Sequence, residues 1–97
     1  MQVSVRFFTT LREITGKREE TLKFQGDKTV TVDMILKRLA KHYGKSFVGY
    51  VYNVETGEVK SFLQFLVNGR SAPNSDMLHV KLSNGDVLAI IPPVGGG

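Results

Sequence analysis

The 97-residue chain contains no cysteine. That absence excludes a disulfide framework, a thiolate metal site and a cysteine nucleophile, and it permits a reducing compartment. Long apolar runs are missing as well. Nothing approaches the roughly 20 consecutive apolar residues that span a bilayer. The N-terminus alternates from Val3 and carries Arg6, so it lacks the continuous apolar region of a signal peptide. The formal net charge is +4, yet Lys and Arg are scattered among Glu and Asp and form no long like-charged block. Aromatics interleaved along a basic groove, the mark of a single-strand binder, are also missing. The expectation is a soluble cytoplasmic protein with neither a membrane nor a nucleic acid as partner, and a length that suits one domain.

Chemistry-bearing constellations are equally scarce. His42 and His79 stand alone, outside any spaced metal-ligand motif, so no metal site is expected. Serines occur without a Gly-x-Ser-x-Gly elbow. The glycines at positions 95–97 cannot be a phosphate-binding loop, because no helix follows them to aim its N-terminus at a ligand. Asp86, between Gly85 and Val87, is better explained by turn geometry than by catalysis. The chain reads as a substrate for other enzymes, with no catalytic residues of its own.

What is present alternates and repeats in useful ways. Val3, Val5 and Phe7 fall on one face of a first strand over Gln2 to Phe8. Thr9 to Gly16 reads as a short helical turn closed by Gly16, with Leu11 and Ile14 folding back on the core. Glu20 to Phe24 gives a second strand, and Gly26-Asp27-Lys28 a turn. The main helix is announced by Thr31 as N-cap, Asp33 in its first turn and an apolar stripe of Val32, Ile35, Leu36, Leu39 and Tyr43. Gly44 ends it. Lys37, Arg38, Lys41, His42 and Lys45 form the densest basic group, read as a solvated helix face, with an acidic protein or nucleic acid as the alternatives.

Tyr50 to Val54 and Val59 to Phe62 flank Glu55-Thr56-Gly57-Glu58, a hairpin-like connection. Phe62 to Asn68 continues as a strand with large apolar residues on both faces, and Asn68-Gly69 is a turn signal. Ser71 to Lys81 holds Pro73 and turn formers, anchored by Met77, Leu78, Val80 and Leu82. Asn84-Gly85-Asp86 is a tight turn into a final strand over Val87 to Ile91. The order of elements predicts an α+β domain, a sheet with the helix covering one face.

The end of the chain changes character twice. Pro92-Pro93 removes two backbone donors, so pairing should stop there and the chain leave extended. Gly95, Gly96 and Gly97 then offer no Cβ, so the tip can pass through a slot too narrow for side chains. At roughly 3.3–3.6 Å per residue, Gly97 can reach about 13–14 Å beyond Pro93. The expectation is a body over 1–92 and a flexible glycine-rich tail over 93–97 that delivers a carboxylate to another protein's pocket.

These residues carry a family resemblance. Arg6-Phe7-Phe8, Leu11-Arg12-Glu13 with Gly16, Thr31-Val32, Val67-Asn68-Gly69, Gly85-Asp86 and above all Pro92-Pro93-Val94 with Gly96-Gly97 resemble the small subunit of molybdopterin synthase. More broadly they resemble the sulfur-carrier and ubiquitin-like modifiers that end in Gly-Gly. The resemblance implies a ubiquitin-like β-grasp: a mixed sheet with one main helix on one face, its first and last strands parallel and central, and an extended C-terminal tail. It implies that an activating enzyme of the ubiquitin-activating type uses ATP to adenylate Gly97, which becomes a thiocarboxylate. Pro93, Val94, Gly95 and Gly96 would enter the large subunit of molybdopterin synthase, where the sulfur passes to a pterin precursor of the molybdenum or tungsten cofactor. No permanently bound cofactor is implied. Arg12 matches a partner-contacting position and reads either so or as an ordinary surface arginine; Ile91 matches another and reads as core or interface. The Gly-Gly-Gly ending also occurs among thiamine-type carriers, and the Tyr50–Phe62 segment resembles archaeal members that double as protein modifiers. The resemblance therefore leaves a protein modifier, or a carrier for thiamine or tRNA thiolation, as alternatives.

Overall fold

A computed structural model describes residues 1–26, 29–71 and 74–93. In chain order they form β1 (Gln2–Phe7), α1 (Thr10–Thr15), β2 (Glu19–Lys23), β3 (Val30–Thr31), α2 (Val32–Tyr43), α3 (Lys45–Val51), β4 (Gln64–Val67), β5 (Arg70–Ser71), α4 (Asn74–Met77), β6 (Lys81–Leu82) and β7 (Val87–Ile91). Five strands make one sheet in the order β2-β1-β7-β4-β5, and β3 with β6 makes a small second one. β1 and β7 are parallel neighbours at the centre, and β2 and β4 run antiparallel to them on either side. This is the mixed sheet of a ubiquitin-like β-grasp.

The helices lie on one face. Val3, Val5 and Phe7 of β1, Leu88 and Ile90 of β7 and Phe65 of β4 are buried in one cluster with Val32, Ile35, Leu36 and Leu39 of α2. Burying each such side chain is worth about 1.5–3 kcal/mol relative to leaving it in water. α2 starts as its sequence predicts: Thr31 is extended, and its hydroxyl accepts the Met34 N–H at 3.3 Å. Gly44, at φ 74°, ends it while its N–H still reaches Ala40 O. Gly16 closes α1 in the left-handed region, where a Cβ would be strained. Among the described residues no helix is long and apolar enough to cross a membrane.

The segment after Gly44 differs from the sequence-based expectation. Tyr50 to Val54 does not open a strand; Tyr50 and Val51 close α3. The local composition, with Val48, Val51 and two aromatics, favours a strand, but Phe47 and Val51 stand one turn apart and both bury completely. Tertiary burial therefore outweighs local preference. Beyond α3 only a single bridge, Tyr52 to Val59, remains of the hairpin. Its loop is tied locally, with Asn53 Oδ1 accepting the N–H groups of Glu55 at 2.9 Å and Thr56 at 3.3 Å. Two turn expectations, Asp27-Lys28 and Pro73, fall outside the described residues.

Candidate functional site

The final strand is fixed along both edges. On one side Ser4, Val5, Arg6 and Phe7 pair in parallel with Val87, Leu88, Ala89 and Ile90. On the other, Gln64, Phe65, Leu66 and Val67 pair antiparallel with Ile91, Ile90, Ala89 and Leu88. Leu88 and Ile90 are fully buried, whereas Val87, Ala89 and Ile91 are half-buried on the opposite face. Ile91 thus lies on the face of the sheet opposite the buried cluster. Pairing stops at Ile91; Pro92 is buried and Pro93 exposed. Val94, Gly95, Gly96 and Gly97 lie outside the described residues.

The strand's entry is equally well held. Asp86 is a turn residue: Oδ2 accepts the Ser83 N–H at 2.7 Å and Oδ1 accepts from Asn68 Nδ2 at 2.9 Å. Its own carbonyl accepts the Ser4 N–H at 3.0 Å, which ties the turn to β1.

Because β1 runs parallel to β7, its C-terminal end lies where the tail departs. There α1 places Arg12, exposed but anchored: its Nε donates to Phe7 O at 3.1 Å, and its guanidinium sits 5.5 Å from the Phe8 ring. Arg6 approaches the same ring at 5.9 Å. Thr9, between Phe8 and α1, holds φ 47°, a region β-branched residues rarely adopt. The structure therefore brings Arg12 and Ile91 to one end of the sheet and adds Arg6 and Phe8 to them. On the β4 side, Phe62 lies in the turn that leads into β4, two residues before Gln64, the partner of Ile91. Phe62 is 45% exposed, with Lys60 Nζ 5.6 Å and the Tyr50 ring 5.8 Å from its ring. Lys60 is itself held, donating to Gly49 O at 2.7 Å.

Phe62, Lys60 and Arg6 were not singled out by sequence reasoning as tail neighbours. The sequence signal for Phe62 is its alternation with Gln64 and Leu66, the less buried side of β4, although β4 starts only at Gln64 and Phe62 lies in the turn before it. This end of the sheet is thus rimmed by two aromatic rings on the segments flanking β7, each with a cation beside it. Such a rim can bind an apolar surface carrying acidic groups. Among the described residues, no three His, Cys, Asp or Glu side chains gather to hold a metal ion. Tyr43 and Tyr52 are shifted in pKa, both upwards and chiefly by burial, which leaves them protonated rather than reactive. The arrangement can present and steer a tail.

Comparison with known proteins fits this geometry. The model of the ThiS family matches residues 5–97. The small archaeal modifier protein 3 of Haloferax volcanii is 34% identical over 97 residues, all of both chains. The molybdopterin synthase sulfur carrier subunit of Chlamydomonas reinhardtii is 30% identical over 97 residues, again all of both chains. The crystal structure of SAMP1 from Haloferax volcanii superposes with a TM-score of 0.83 at 28% identity, covering 100% of each chain.

Proposed function

Because this chain belongs to the ThiS family of ubiquitin-like sulfur carriers, we propose that it is the sulfur-carrying small subunit of a molybdopterin synthase. The Gly97 carboxylate attacks the α-phosphorus of ATP in an activating enzyme, expelling pyrophosphate and leaving an acyl-adenylate. A persulfide sulfur then attacks the acyl carbon and AMP leaves. A thiol takes the other sulfur of the persulfide into a disulfide, which frees a thiocarboxylate at Gly97. That tail, Pro93 to Gly97, enters the large subunit and gives its sulfur to the pterin precursor. ATP belongs to the activating enzyme, and this chain holds no permanent cofactor.

The observation that carries the reading is the clamping of β7 between β1 and β4, ending in a buried Pro92 and an exposed Pro93. A strand paired on both edges gives the departing chain a fixed direction, so a partner recognising the rim receives the tail in register. The test is ATP–pyrophosphate exchange with a cognate activating enzyme, followed by intact mass after sulfur transfer. Exchange that vanishes on deletion of Gly97, and one oxygen replaced by sulfur, support the reading. An unchanged mass in a system that thiolates a control carrier refutes it.

A second reading is a protein modifier, favoured by the full-length likeness to the small archaeal modifier protein 3. It shares the adenylate and differs in the acceptor, a lysine amine that forms an isopeptide bond. Glycine-remnant peptides from this tail on other proteins distinguish it. Carriers for thiamine or tRNA thiolation share the sulfur chemistry and are separated by which large partner co-purifies.

A further inference from the structure

Arg38 of α2 is bonded to the outer strand of the sheet in an unusual place. Along β2, Phe24 donates its N–H to Met1 O at 2.8 Å, the Met1 amine donates back to Phe24 O at 3.1 Å, and Phe7 N–H reaches Arg18 O at 2.9 Å. With the register Val3–Leu22 and Val5–Glu20, these bonds assign residues 18, 20, 22 and 24 to the ladder with β1. The backbone groups of Glu19, Thr21 and Lys23 point the other way, off the edge of the sheet. One of those outward acceptors is already taken: Arg38 Nη1 donates to Lys23 O at 2.6 Å, with the guanidinium 4.6 Å from the Phe24 ring. Among the described residues Arg38 has no ion pair, so its charge stands at the edge uncompensated.

The side chains of β2 identify the strand that this arrangement meets. Leu22 is buried with α2, and Glu20 accepts the Tyr43 hydroxyl, which leaves Glu19, Thr21 and Lys23 exposed on the face without helices. Neither Glu19 nor Lys23 has an ion pair among the described residues. Two copies of β2 laid antiparallel about a two-fold axis at Thr21 set Glu19 of each copy opposite Lys23 of the other, and Thr21 opposite itself. Opposite charges and paired threonines are both favourable as direct cross-strand neighbours. Axes at Glu19 or at Lys23 set like charges opposite each other instead. The edge is thus self-complementary in one register. In that register the Glu19 N–H of the second copy needs Lys23 O, the atom that Arg38 holds. The same axis places both α2 helices on one face, with Arg38 and His42, which line the cleft between α2 and β2, turned toward their counterparts.

We infer that Arg38 keeps this chain monomeric by closing the β2 edge to a second copy of itself. Outer strands are commonly protected by a charged side chain laid over their free backbone groups. Here the guanidinium blocks a hydrogen bond at each end of the two-fold pairing and sets like charges against each other across it. Without it, two copies join through β2 into one continuous sheet. The far edge, β5, needs less protection, since it spans only Arg70–Ser71. Because β1 separates β2 from β7, the pairing leaves the tail-bearing strand untouched. The inference does not depend on the sulfur-carrier reading.

Analytical ultracentrifugation of the full chain tests it. Arg38→Met keeps an apolar stem against Phe24 and removes both the donor and the charge. This variant is expected to self-associate at least about tenfold more tightly than the wild-type chain, a shift of about 1.4 kcal/mol. In its background, Glu19→Lys or Lys23→Glu returns the chain to monomer, and the two reversals together restore the dimer, because the exchanged charges again face each other. Slowed amide exchange at Glu19, Thr21 and Lys23 places the contact on β2. Should Arg38→Met fail to fold, Arg38→Ala must give the same association. A methionine variant no more associated than the wild type, a dimer indifferent to Glu19→Lys, or one that the double reversal does not restore would each overturn the inference.

Discussion

Asn68 and Asp86, on separate turns at the same end of the sheet, are joined side chain to side chain, Nδ2 to Oδ1, at 2.9 Å. Asn68 also receives the Val87 N–H on its Oδ1 at 2.9 Å and gives its own N–H to Val87 O at 2.8 Å. One residue thus closes the β4–β5 turn, at φ 51°, and latches the first residue of the tail-bearing strand. Asparagine suits both tasks, since it tolerates the left-handed region and carries a donor and an acceptor.

Asn68→Ala is expected to lose two side-chain hydrogen bonds at about 0.5–1.5 kcal/mol each and to add about 1 kcal/mol for the left-handed backbone. Asn68→Gly recovers only the second part. Urea denaturation of both variants separates the two, and faster amide exchange at Val87 locates the damage. Equal stability of the alanine and glycine variants would show that backbone conformation contributes nothing there.

Thr31 makes a simpler case. Its hydroxyl satisfies one of the free N–H groups at the start of α2, the helix that covers the sheet. Thr31→Ala should lower stability by about 1 kcal/mol and Thr31→Ser by much less. A loss in the serine variant equal to that in alanine would assign the effect to the methyl group rather than the cap.

Tyr52 predicts a pH dependence. Burial first, and the negative charge of Asp33 second, push its hydroxyl from 10.0 up to about 12. A raised pKa means the folded chain keeps this proton longer than the unfolded chain does. The stability it contributes is therefore complete below about pH 10 and is lost as pH rises through about 12. Tyr43, raised by burial and then by Glu20, adds to the same decline. The Tyr52 hydroxyl is buried without a hydrogen-bond partner among the described residues. Tyr52→Phe should hence raise stability at pH 7 by about 1 kcal/mol and flatten, without abolishing, the alkaline loss. Thermal melts at pH 7 and across pH 10–12 check both; a destabilised variant at pH 7 would mean that the hydroxyl is satisfied.

Local periodicity carried much of this fold. The stripe of α2, the alternation of β1, the Asn68-Gly69 and Gly85-Asp86 turns and the end of pairing before Pro92 all rest on contacts within a few residues. α3 was illegible for the opposite reason: Phe47 and Val51 are helical because they bury together, and their neighbours locally prefer strand. The site divides in the same way. In Val87 to Ile91 every residue is apolar, so composition cannot assign Ile91 to a face; pairing with β1 and β4 does. Arg12 was visible as a candidate, but its anchor on Phe7 O arises from the way α1 folds back. Phe62 comes to this end of the sheet because Gln64, two residues on, pairs with Ile91, almost thirty residues away in sequence.

That rim yields the last prediction. Phe62 is 45% exposed and outside the buried cluster, so Phe62→Ser should change folding stability by no more than about 0.5 kcal/mol. Arg12→Ala loses one bond to Phe7 O and should cost about 1 kcal/mol. Neither change touches Gly97. If the rim positions a partner while the tail undergoes the chemistry, both variants raise KM for tail adenylation by about tenfold, the loss of one good interface contact, and leave kcat near its original value. Deleting Gly97 does the reverse, removing turnover while the body still competes for the activating enzyme. Steady-state pyrophosphate exchange with the three variants reads the split directly. An unchanged KM in both rim variants would mean that the partner recognises the tail alone, and the aromatic and cationic flanks of the exit would then have no part in presenting it.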